Sequence, residues 1–400
     1  MNHRLENLGQ MSVMEIVQTI AAISATVTSL YLVGNRLDSK TGAELSQVVA
    51  AIPATVTSLN LSCNNLGSKT AAELAQVFAS IPASMTSLDL SFNNLDNKTA
   101  AELAQAFAAI PASVTSLNLG GNNLYRKTAA ELTQAFAAIP ASVTSLNLRI
   151  NNLGSKTAAE LAQAFAKIPA SVTSFSLDGN DLGSKTGGEL AQVFAAIPAT
   201  VTSLDLRINN LGDKTAAELA QAFAAIPASV NILNLKGNDL NYEQLDGIIK
   251  ALPKGVESVI LDDKTIYTDK SLVKQLKTQV RSLCSQTGAA QLRFDTIKLA
   301  VEIDETHLNR LIQVLEKQND PLANFTCGLL LEGQIETTAD IIDNCSAFDQ
   351  YMEKRTHDAI SFYTKASEDR TVKPIAEFLL WEMKMTSHTP SIQSAYLNTI

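Results

Sequence analysis

Cysteine and histidine are scarce in this chain, and the chemistries that depend on them are correspondingly not expected. Four cysteines (Cys63, Cys284, Cys327, Cys345) lie far apart over 400 residues with no CxxC pair. That suggests neither a disulfide framework nor a zinc site and makes a reducing compartment the expectation. The four histidines (His3, His307, His357, His388) form no HExxH and no close cluster, and no glycine-rich phosphate loop occurs. No metal and no cofactor is therefore expected. A basic excess is also lacking. Up to residue 262 there are 16 basic against 21 acidic side chains, beyond it 15 against 19, and the net charge is -9. Binding a phosphate backbone needs the opposite balance, so nucleic acid is not an expected partner. No apolar run approaches the ~20 residues of a membrane span. Arg4, Glu6 and Glu15 interrupt the opening residues where a Sec-type signal peptide needs an unbroken apolar core.

What the chain has in abundance is repetition. Val56-Thr-Ser-Leu59-Asn-Leu61-Ser-Cys-Asn64-Asn-Leu66 recurs at Val27–Leu37, Met85–Leu95, Val114–Leu124, Val143–Leu153, Val172–Leu182, Val201–Leu211 and Val230–Leu240, always 29 residues apart. A fixed period of that length is the signature of a solenoid. Within one unit, Val56, Leu59 and Leu61 are separated by polar residues in the alternation of a short strand with one buried face. Asn64 follows where the chain must turn, and its amide can both donate and accept for backbone groups a tight turn would otherwise bury unpaired. The column Asn35, Asn64, Asn93, Asn122, Asn151, Asn180, Asn209, Asn238 is accordingly read as a structural turn ladder.

Thr70 and Glu73 then have the spacing of a helix-starting capping box. Leu74, Phe78 and Ile81 fall at i, i+4 and i+7 on one apolar stripe, and Pro82 stops the helix. The unit is strand, turn, helix, loop. It cannot stand alone: its roughly 10–20 kcal/mol of gross burial is less than the ordering cost of its backbone at over ~1 kcal/mol per residue. Stacking makes it viable.

The frame LxxLxLxxNxL resembles that of the leucine-rich repeat family, and the 28–29-residue length with a full helix resembles its ribonuclease-inhibitor-like subclass. The resemblance covers residues 27–240. The near-verbatim recurrence of KTAAELAQAFAAIPASVTSLNL also resembles leucine-rich repeat effectors of Legionella-type bacteria. It implies an α/β fold, a right-handed α/β horseshoe; beyond it the period vanishes, and apolar residues at helical spacing, such as Leu272, Leu276, Val280 and Leu283, point to an all-helical C-terminal region. It also implies a protein-binding concave face. The scarcity of cysteine departs from ribonuclease inhibitor itself and speaks against a ribonuclease as ligand.

Three regions are expected: an N-terminal cap at 1–26, repeats at 27–262 including a degenerate ninth strand at Val256–Leu261, and a helical region at 263–400. The tail Thr386–Ile400, rich in serine and threonine, resembles a type IV export signal, and a disordered terminus fits nearly as well. The Lys40, Lys69, Lys98, Lys127, Lys156, Lys185, Lys214 column is read as neutralising the glutamates at the helix starts.

Function is sought where near-identical copies differ. The column between the strand leucines contributes Tyr31, Asn60, Asp89, Asn118, Asn147, Asp205 and Asn234. The column after the second leucine contributes Arg149, Asp178, Arg207 and Lys236, with Phe92, Ile150 and Ile208 beside it. A mixed charged and apolar patch of this kind suits a protein partner; neutral drift on a solvated sheet is the competing account. The expectation is a non-enzymatic, monomeric recognition module that binds a host protein, held in the bacterial cytoplasm before export and acting in host cytosol. The alternatives are an enzyme, for example a ubiquitin-pathway or other transferase, active within 263–400, and a helical region that fills the concave face. Bacterial leucine-rich repeat ubiquitin ligases carry Cys-x-Asp after the repeats; Cys284, Cys327 and Cys345 all fail that motif, leaving Cys345 with Asp343 and His357 as the one candidate nucleophile site.

Overall fold

A computed structural model describes residues 1–261 and 265–267, together with Cys327, Ala359, Ser361, Phe362, Lys365 and Ala366, all six helical. The chain divides into two compact units, Met1–Ile266 and Tyr267–Ile400. The expected helical region, the Cys345 site and the C-terminal tail fall outside the described residues, apart from those six.

The first unit is an α/β solenoid. Its strands are β1 Asn2–Arg4, β2 Ser29–Tyr31, β3 Ser58–Asn60, β4 Ser87–Asp89, β5 Ser116–Asn118, β6 Ser145–Asn147, β7 Ser174–Ser176, β8 Ser203–Asp205, β9 Ile232–Asn234, β10 Ser258–Ile260 and β11 Thr265–Tyr267, and they lie in one sheet in chain order. From β1 to β10 neighbours are parallel, and the leucine column pairs in register from copy to copy, as Leu30↔Leu59, Leu59↔Leu88 and Leu88↔Leu117, with Phe175 standing in between Leu146 and Leu204. From β1 to β9 a 3-10 turn and an α-helix run between successive strands, for example α5 Ala129–Ala137 after the turn Leu124–Arg126.

The sequence dictates each piece. Thr70 accepts from the amide of Glu73 while Glu73 accepts from the amide of Thr70 at 2.9 Å, and the same reciprocal cap starts the helix of every 29-residue copy. Val56, Leu59, Leu61, Leu66, Leu74, Phe78 and Ile81 are buried in one continuous core. Phe175, alone in the leucine column, keeps its place by meeting Phe165 edge-on at 5.5 Å.

The N-terminal region is more regular than its sequence suggests. Asn2–Arg4 is a strand paired with β2, followed by a 3-10 turn and α1 Val13–Ala21, so residues 1–26 form a complete short repeat. His3 takes the leucine register opposite Leu30 and is half-buried. An outermost strand covers its neighbour on one side only, so the slot does not require a leucine. At the other end the degenerate ninth strand of the sequence forms as β10, in register with β9.

Candidate partner-binding face

Three ladders of side chains hold the turns together, and what they leave over defines the candidate site. The asparagine ladder forms as expected. Asn151 Oδ1 accepts the amides of Asn122 at 2.9 Å and Leu124 at 3.2 Å from the preceding copy. Its Nδ2 donates to the carbonyls of Leu119 (3.1 Å), Leu148 (2.9 Å) and Arg149 (3.2 Å). Asn64, Asn93, Asn122, Asn180, Asn209 and Asn238 occupy equivalent, fully buried rungs, and Asn35 is a buried end rung whose Oδ1 accepts the Leu8 amide. None is available to a ligand.

The lysine column serves the backbone as well as the glutamates. Lys69, Lys98, Lys127 and Lys185 are buried, and each ammonium donates to a carbonyl of the preceding copy: Lys69 to Asp38, Lys98 to Lys69 at 2.6 Å, Lys127 to Lys98 at 2.5 Å, Lys185 to Lys156 and to Gly154 at 2.9 Å. Glutamates stand at ion-pair distance only loosely, 3.7 Å for Lys98–Glu102 and Lys127–Glu131. The lysines therefore satisfy backbone first, and charge neutralisation is secondary. Burial pushes the Lys185 ammonium below its ordinary value. Where the lysine frame ends, Gln244 on α9 (Tyr242–Ala251) does both jobs, accepting from the Asn241 amide at 2.8 Å and donating to the carbonyls of Gly212 (2.8 Å) and Lys214.

The strand column is the third ladder. Asn60, Asp89, Asn118 and Asn147 each accept the amide two residues on, at 2.8 to 2.9 Å, and Asp205 and Asn234 do so at 3.2 and 3.3 Å. These are Asx turns that guide the chain off the sheet. Asn60 Nδ2 also donates to Asp89 Oδ2 at 3.2 Å and Asp205 accepts from Arg207 Nε, while Tyr31 in the same column is half-buried. The signal was available in the sequence, as an Asn or Asp two residues before each turn. So these residues hold the fold whether or not they also touch a partner.

The remaining residues have a different character. Phe92, Ile150 and Ile208 are 39%, 47% and 57% exposed, and all three sit in the left-handed backbone region at φ 55, 53 and 49. For a β-branched residue that conformation is a genuine outlier, and strain of this kind tends to mark functional positions. Gly34, Gly121, Gly179 and Gly237 fill the same slot in other copies at φ 62 to 67, and that column of glycines was the available signal for the backbone geometry. Beside it, Arg207 reaches Asp205 at 2.9 Å and Asp178 at 3.3 Å. Burial raises the Asp178 carboxyl above its ordinary value even so, outweighing the pull of Arg207. Arg149 lies over the Phe92 ring at 6.0 Å; its Nε has no hydrogen-bond partner, and among the described residues it has no ion pair. Lys236 completes the patch, half-buried. No group of three or more His, Cys, Asp or Glu side chains suited to a metal occurs among the described residues. No described helix is long and apolar enough to cross a membrane.

The leucine-rich repeat family matches at residues 53–75, 82–104 and 198–220. Among solved structures, the chain is similar to the leucine-rich repeat-containing protein LegL7 of Legionella pneumophila, at 41% identity and a TM-score of 0.59 over 67% of this chain and 93% of that one. A yeast complex of Rad7 and Elc1 aligns at 14% identity and a TM-score of 0.42, over 68% of this chain and 66% of that one, too slight a likeness to bear on function. No curated protein matches.

Proposed function

Because this chain belongs to the leucine-rich repeat family, as its repeats and its similarity to LegL7 show, we propose that its sheet face is a protein-recognition surface centred on Phe92, Arg149, Ile150, Asp178, Arg207, Ile208 and Lys236. The observation that carries the reading is the exposure of three large apolar side chains on strained backbone, in a slot where glycine serves the fold equally well. The role is binding rather than catalysis, exercised by a monomer. The organism of LegL7 supports placing the protein among bacterial effectors, with a host protein as partner and host cytosol as its place of action.

The test is site-specific photo-crosslinking in host lysate. A benzoylphenylalanine at Ser145 or Ser174, which lie on the strands and have no capping role, is expected to crosslink a protein that the same group at Gln134 or Gln163, exposed on the helical side, does not. Crosslinks from the helical side alone would overturn the proposal. A translocation reporter fused to the chain tests the effector reading separately, and retention of the fusion in the bacterium would contradict it.

A further inference from the structure

The apolar residues alternate with glycine along the stack. Phe92, Ile150 and Ile208 are two copies apart, and Gly121, Gly179 and Gly237 stand in the copies between. Sterics favour glycine in the copy after each large side chain, while Cys63, at φ 59, fills the slot before Phe92. A Cβ on Gly121 would come within 2.3 Å of the Phe92 ring, one on Gly237 within 2.9 Å of Ile208 Cγ1, and one on Gly179 within 3.1 Å of Ile150 Cγ1. Each large side chain leans across the bare backbone of the next copy. The slot therefore repeats every second strand, with Arg149-Ile150 and Arg207-Ile208 as like pairs. Strands are ~4.8 Å apart, so the apolar knobs recur about every 10 Å.

Resting on the recognition role above, we infer that the segment this row binds is an amphipathic α-helix lying along the stack, with apolar side chains at i, i+7 and i+14 and a carboxylate opposite Arg149. Seven helical residues advance about 10.5 Å and return to the same face. An extended strand repeats its face at about 6.6 or 13 Å and misses the spacing. A polyproline helix, at about 9.3 Å per turn, comes close in length; its recognition relies on grooves lined by several aromatic rings, whereas this row offers one phenylalanine and two isoleucines that project. Charge complementarity supplies the acidic residue: Arg207 is occupied by Asp178 and Asp205, while Arg149 has no ion pair among the described residues.

The experiment is selection of displayed peptides against the full chain, using a library that mixes a helical scaffold with randomised surface, an extended scaffold and a proline-rich scaffold. Selected clones are retested on two variants, Phe92→Gly/Ile150→Gly/Ile208→Gly and Ser145→Arg/Ser174→Arg. Thermal melts confirm that both variants fold. The expected result is enrichment of helices with apolar residues seven apart and an acidic residue between them, which lose at least tenfold in affinity on the glycine variant. Binders that are extended or proline-rich, or helices without the seven-residue spacing, overturn the inference. Binders sensitive to the serine changes but indifferent to the glycine variant overturn it while leaving the recognition face standing. Binders indifferent to both variants, or no binders at all, overturn both.

Discussion

Replacing Asn151 by alanine removes one rung from the middle of the asparagine ladder. The Asn122 and Leu124 amides, bonded to Asn151 Oδ1 at 2.9 and 3.2 Å, lose their acceptor, and three carbonyls lose a donor at 2.9 to 3.2 Å. The site is fully buried, so water does not reach it without opening the turn. Each orphaned amide costs about 1–3 kcal/mol, which places the substitution at about 3–6 kcal/mol once the carbonyls are included. Asn35 supplies the internal control. Its Oδ1 accepts a single amide, that of Leu8 at 3.0 Å, so Asn35→Ala should cost about half as much. Urea unfolding followed by far-ultraviolet circular dichroism measures both, and hydrogen exchange should show protection lost first around Asn122 and Leu124, because a solenoid couples neighbour to neighbour. A cost below about 1 kcal/mol for Asn151→Ala, or equal costs at the two positions, would refute the ladder account.

Further outcomes follow from the same geometry. Lys127→Met strands the Lys98 carbonyl and should cost about 1–3 kcal/mol in urea unfolding, whereas Lys127→Gln keeps a donor amide on a slightly shorter stem and should recover part of that loss. The capping glutamates Glu73, Glu102, Glu131 and Glu160 are held below their ordinary carboxylate value, chiefly by the threonine amides they accept from. Folded carboxylates with lowered pKa bind fewer protons than the unfolded chain, so their stabilisation is complete above the ordinary range and is lost as pH falls through the folded values. Melting temperature should fall as pH drops through the ordinary carboxylate range and below it, and a variant with all four changed to glutamine should show a shallower fall; identical profiles would contradict the assignment. Ile208→Gly removes a left-handed isoleucine costing about 1–3 kcal/mol and adds about 0.5–1 kcal/mol of glycine entropy. Its melting temperature should hold or rise, and a clear drop would argue against backbone strain.

The sequence declared the frame because the frame is periodic. Leu59, Leu61, Asn64 and the Thr70–Glu73 pair each have a physical job that the spacing alone implies, and each does that job. What escaped was geometry that composition does not encode. The lysines read as partners of glutamate because both recur in step, yet a four-carbon stem lets each ammonium reach back to the preceding copy. The strand asparagines stood out as candidate contacts because exposure was inferred from alternation alone; the Asx turn that occupies Asn118 and Asn147 needs the distance to the amide two residues on. His3 hid β1, since an edge position relaxes the demand for leucine. Phe92, Ile150 and Ile208 were legible as odd residues in a repetitive column, and the backbone angle that makes them costly was not.

The strained apolar row separates recognition from folding, since glycine already serves the fold at the same slot in neighbouring copies. The most direct measurement is therefore calorimetric titration of the partner crosslinked through Ser145 or Ser174 against wild-type chain and the Ile150→Gly/Ile208→Gly variant, with melting curves recorded on both. The account predicts at least a tenfold loss of affinity in a variant that melts no lower than wild type. Equal affinities, or a loss that comes only with a lowered melting temperature, would contradict it.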